Sequence, residues 1–99
     1  MDTFLTKGQP RLYIEVNVWK RIDQSRLLRY RCFHLLPENK YAVQSADFYN
    51  LPVDDKQIRY LDKQFIQLFC EEEPAVRSDL FESLEEAIAA HDRDFPSSH

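Results

Sequence analysis

Between residues 12 and 22 the hydrophobic positions alternate. Leu12, Ile14, Val16, Val18 and Ile22 fall on one side, with Lys20 interrupting, while Tyr13, Glu15, Asn17, Trp19 and Arg21 fall on the other. A period of two marks a half-buried β-strand. Two further runs suited to pairing flank Leu36-Pro37-Glu38-Asn39-Lys40. The proline presets the backbone angle of a type I turn, and Asn39 accepts the left-handed conformation that a following bulge requires. This predicts a three-residue hairpin loop with a defined register. Leu36 then faces Lys40, His34 faces Ala42, Cys32 faces Gln44, Tyr30 faces Ala46 and Leu28 faces Phe48. On the other side Leu35 faces Tyr41, Phe33 faces Val43, Arg31 faces Ser45 and Arg29 faces Asp47. Asp23-Gln24-Ser25-Arg26 supplies polar turn chemistry between the first two strands.

After Asn50-Leu51-Pro52-Val53 the period changes to three and four. Asp54 and Gln57 form a capping pattern, and Ile58, Leu61, Phe65, Leu68 and Phe69 make one apolar stripe. Ser83 and Glu86 mark a second start, followed by Leu84, Ala87, Ile88, His91 and Phe95 on one face. The pattern predicts an α+β fold: a three-stranded antiparallel meander over 11–50 with two C-terminal helices, 54–73 and 83–95, packed on one face. Residues 1–10 read as a poorly ordered tail, and 75–82 as a linker anchored by Val76, Leu80 and Phe81.

If both helices cover the side of Leu12, Ile14, Val16, Val18, Leu28, Tyr30, Cys32, Ala46 and Phe48, the other sheet face is left with aromatic and arginine side chains. Tyr13, Trp19, Arg21, Arg29, Arg31, Phe33, Tyr41 and Tyr49 are therefore the candidate partner-binding residues, with Leu35 and Val43 among them. Aromatic rings and guanidiniums on one surface suit a protein partner or a second copy of the chain. They also suit unpaired bases stacked beside phosphates.

Ninety-nine residues, 43% of them hydrophobic, suffice for one domain. Net charge is −4 but unevenly spread. Residues 1–50 carry eight Lys/Arg against five Asp/Glu, and residues 51–99 carry five against twelve. An acidic whole weakens the nucleic-acid alternative, because phosphate binding draws on net cation contacts. A single glycine, Gly8, leaves no Gly-rich phosphate loop and no glycine elbow around a nucleophile.

Cys32-x-His34 places two potential ligands on one side of a strand, about 6.5 to 7 Å apart. Only Cys70 and His91 could complete a zinc set, and there is no close CxxC pair. The carboxylate pairs sit at helix ends or on solvent faces, where capping and solubility explain them. The two distant cysteines fit reduced thiols. No apolar run is long enough to span a bilayer, and the first residues lack the apolar core of a secretory leader. The expectation is a cytoplasmic, non-catalytic binding or adaptor module without cofactor, metal or membrane association. Single-stranded nucleic-acid binding through the same face is the alternative.

Overall fold

The computed structural model describes residues 11–95, so the tail expected at 1–10 lies outside the described residues. Strands β1 (Tyr13–Arg21), β2 (Arg26–Leu35) and β3 (Lys40–Asn50) form one antiparallel sheet in the order β1-β2-β3. Helices α1 (Asp55–Glu71), α2 (Pro74–Arg77) and α3 (Leu84–Asp94) follow. This is the α+β meander that the alternation predicts. Both long helices begin where capping chemistry places them. Asp54 accepts from the Lys56 N–H, and Ser83 accepts from the Glu86 N–H. Gln57 does not close a capping box. Its side-chain amide donates instead to the Phe48 carbonyl, at 3.1 Å. The short helix α2 arises inside the expected linker, with Pro74 at its first turn, where a missing N–H costs nothing. Leu80 and Phe81 anchor that segment, whereas Val76 is exposed.

Asn39 is the one described non-glycine residue with positive φ, at 55°, and its N–H donates to the Leu35 carbonyl at 2.7 Å. The loop nevertheless holds four residues, because Leu35 pairs with Lys40. The register from Arg31–Ser45 to Leu28–Phe48 is the expected one, but a bulge between Arg31 and Cys32 shifts the turn half by one residue. Cys32 there faces Val43, Phe33 faces Ala42 and His34 faces Tyr41. Gln44 is the extra residue, and a one-residue slip moves side chains to the opposite face.

The helices divide between the two faces of the sheet instead of sharing one. On the even-numbered side of β2, Leu28, Tyr30 and Cys32 pack with Val43 and Ala87, joined by Leu84 and Ile88 of α3. On the odd-numbered side, Phe33 and Leu35 pack with Phe65 of α1, joined by Phe69, Tyr13 and Leu80. The physical reason lies in β2, which is apolar on both faces over its second half and so needs two covers. Phe33 lies within 5.5 Å of Phe65 and 4.6 Å of Phe69, ring centre to ring centre. Leu12, Ile14 and Phe48, expected in the core, are exposed; α3 lies against β3, and Leu12 and Ile14 stand at the far side of the sheet from it.

Candidate interaction edge

Helix α1 covers most of the sheet face expected to be open. Arg31 and Phe33 are each only 2% exposed, and Tyr49 is buried with them. Tyr13 is half-buried, edge-on to both Phe33 and Phe69 at 5.3 Å. Its hydroxyl donates to Glu73 at 2.6 Å, and burial together with that carboxylate pushes the phenol up to about 12. Tyr41 lies on the opposite face, because the Gln44 bulge reverses parity, and stacks on His34 at 4.6 Å. Val43, for the same reason, sits in the α3 core, and Leu35 is buried under α1. Trp19 and Arg21 remain exposed, and Arg29 lies between Trp19 and Asp62 of α1. An eight-residue aromatic and arginine platform therefore does not exist as one surface.

What remains is an edge. The Leu12 carbonyl accepts from the Leu36 N–H at 3.1 Å, and the Ile22 N–H donates to the Arg26 carbonyl at 3.1 Å. With the unbroken register between them, even-numbered residues of β1 exchange hydrogen bonds with β2. Tyr13, Glu15, Asn17, Trp19 and Arg21 consequently aim their backbone N–H and C=O groups outward. No described residue pairs with them.

The opposite edge is covered in large part by the chain itself. Tyr41 and Phe81 exchange two backbone hydrogen bonds of 2.8 Å. Ser78 donates to the Val43 carbonyl, Arg77 to the Gln44 carbonyl at 3.2 Å, and Gln57 to the Phe48 carbonyl. A row of free N–H and C=O groups is a template for another strand, and proteins usually blunt it with bulges, proline or cover. Strand β1 has nine residues with neither bulge nor proline.

The side chains beside the open edge suit docking. Trp19 is 52% exposed yet held in place, 5.8 Å from Tyr49 and with the Arg29 guanidinium 5.2 Å from its ring centre. Arg29 also donates to Asn17 at 2.9 Å and to the Tyr49 hydroxyl at 3.3 Å. On the other face Ile14 is 45% exposed, and Val16 and Val18 are half-buried. One flank of the edge is thus a braced aromatic, the other an apolar row.

The residues considered for chemistry are not brought together. Cys32 is fully buried, and burial pushes its thiol up to about 12. His34 bonds Asn39 at 2.7 Å, while Cys70 is exposed on α1. His91 packs edge-on to Tyr30 at 6.0 Å, and burial lowers its pKa against the pull of Asp92 and Asp94. Tyr30 itself donates to Asp92 at 2.8 Å, and burial with that carboxylate raises it to about 12. Among the described residues no three His, Cys, Asp or Glu side chains group to hold a metal ion. No helix of the described residues is long and apolar enough to cross a membrane. Comparison of the chain with protein-family models, with curated proteins and with solved structures gave no match.

Proposed function

We propose that this chain is a small non-catalytic protein-interaction module that takes an extended segment, from another protein or from a second copy, as a further strand on β1. One contrast carries the reading: the chain meets the outer edge of β3 with its own groups at Tyr41, Val43, Gln44 and Phe48, while none of its described residues pairs with the outer edge of β1. Strand addition gains affinity from main-chain hydrogen bonds and specificity from alternate side chains. Trp19 on one flank and Ile14, Val16 and Val18 on the other supply the second part. The nucleic-acid alternative asks for an open stacking platform, and Phe33, Tyr49 and Arg31 lie under α1. The unpaired cysteines, Cys32 and Cys70, support placement in a reducing compartment such as the cytoplasm.

The test uses the direction of the Asn17 N–H. It points outward, so Asn17→Pro removes a donor from the open edge and leaves the β1–β2 ladder whole, as edge strands tolerate. Extended peptides selected from a displayed random library are expected to bind the wild-type chain and to lose at least roughly tenfold in affinity on Asn17→Pro, about 1.4 kcal/mol. Circular dichroism and thermal melting establish that the variant is folded. Selected peptides that bind a folded Asn17→Pro variant as tightly as wild type overturn the reading.

A further inference from the structure

Resting on the strand-addition reading, we propose that the occupant of the edge is β1 of a second copy, paired antiparallel about a two-fold axis at Val18, so that two sheets join into one of six strands. Identical edges meeting about a dyad form an isologous contact, in which every pairing occurs twice. Directly opposed residues on neighbouring strands share a face, so even-numbered positions meet even-numbered ones and odd meet odd. The outward backbone groups all belong to odd-numbered residues, which are then the hydrogen-bonded pairs in any such register.

Three registers overlap most of the strand, and side-chain charge separates them. Centred on Val16, Arg11 opposes Arg21 twice and Leu12 meets Lys20. Centred on Asn17, Ile14 meets Lys20, Tyr13 meets Arg21 and Glu15 meets Trp19. Centred on Val18, Glu15 meets Arg21 in both halves, Ile14 meets Ile22, and Val18 meets itself. Val16 then lies along the aliphatic stem of Lys20, whose ammonium reaches solvent. Within Tyr13–Arg21 only this register opposes unlike charges, the Arg11–Asp23 pair of the Asn17 register lying beyond both ends of the strand, and like charges directly across a sheet are unfavourable.

Both members of the pair are available. Arg21 is exposed with no ion-pair partner among the described residues, and Glu15 lies 3.9 Å from Arg29 and 3.3 Å from the Asn17 amide. The apolar row of one copy continues into that of the other, covering Ile14 and Val18, which α3 leaves half open.

The test is a disulfide scan of the full-length chain carrying Cys70→Ser, with Cys32 buried and out of reach. At the dyad the two position-18 Cα atoms form a non-hydrogen-bonded pair about 4.5 Å apart, inside the range a disulfide spans. Val18→Cys is expected to cross-link two chains in a glutathione buffer at least roughly tenfold faster than Val16→Cys, whose copies sit more than about 7 Å apart. Light scattering is expected to give twice the chain mass for wild type, a lower mass for Arg21→Glu, and the wild-type mass again for Glu15→Arg combined with Arg21→Glu. Faster cross-linking at position 16 or 17, or no rescue by the double exchange, overturns the register. A monomeric mass without a Val18→Cys cross-link, the outcome when residues 1–10 or a different protein fill the edge, overturns the self-pairing. If selected peptides still bind in an Asn17-dependent way in that case, strand addition stands and only the second copy is lost.

Discussion

Arg31 is the residue whose surroundings say most about how this sheet is covered. Its Nε donates to Asp47 at 2.9 Å and its Nη2 to Asp62 at 2.7 Å, and the guanidinium lies 4.8 Å from the Phe65 ring centre. Burial alone lowers the pKa of such a group, but Asp62, Tyr49 and Asp47 outweigh it and the net shift is upward, so the charge is kept. Asp47 belongs to the sheet and Asp62 to α1, so one side chain fastens strand to helix. Removing one partner of a buried pair leaves the other charge uncompensated. Arg31→Ala is therefore expected to cost about 3 kcal/mol in urea unfolding, at the low end of the buried-pair range because Asp62 is half exposed. A loss under about 1 kcal/mol, the level of surface ion pairs, contradicts this account. Arg11, which reaches Glu38 and Glu73 from a more exposed position, is a surface pair of that weaker kind.

At the scale of elements the decisive contact is that of α1 with the odd-numbered side of β2. Phe65 is its centre, stacked on Phe33 and buried, while its neighbour Ile66 is 63% exposed. Phe65→Ala is expected to cost about 3 to 5 kcal/mol in thermal or urea unfolding, and Ile66→Ala less than about 0.5 kcal/mol. Equal losses at the two positions contradict the docking of α1 on that face. The existence of α1 was legible in the spacing of Ile58, Leu61, Phe65, Leu68 and Phe69, and its start in Asp54. Its side was not, because the period of β1 was carried over to β2. Cys32, Phe33, Leu35 and Leu36 are apolar at both parities, a sign of burial on two faces. The bulge at Gln44 left no local mark either. Bulges are often announced by glycine, and here the extra residue is a glutamine whose amide donates to the Phe65 carbonyl at 3.2 Å, a contact with a distant helix. Trp19 and Arg21 kept their expected exposure because they lie on β1, beyond the cover of α1. The other candidates depended on which strand sat centrally, which is a property of the whole sheet.

Across the whole molecule the lopsided charge of the sequence becomes a set of ties between its halves. Arg11 meets Glu73, Arg29 and Arg31 meet Asp62, and Lys40 meets Glu82, each joining the basic strand half to the acidic helical half. Arg26 meets only Asp23 of its own half, and Lys20 and Arg21, at the end of β1, have no ion-pair partner among the described residues. They stand beside the same backbone edge that no described residue pairs. Self-pairing at that edge joins the folding equilibrium to association, because only folded chains present a formed β1, and anything that binds the native state alone raises its apparent stability with concentration. Each tenfold rise in concentration above the dissociation constant then adds about half of the 1.4 kcal/mol tenfold step per chain, which for a domain of this size raises the midpoint by roughly 3 to 5 °C. The wild-type melting temperature is accordingly expected to climb between about 5 and 500 μM, a hundredfold range, while Asn17→Pro and Arg21→Glu melt at temperatures independent of concentration. Scanning calorimetry across that range is the check. A wild-type midpoint that stays constant shows that native chains do not stabilise one another, and the second copy is then not the strand that β1 receives.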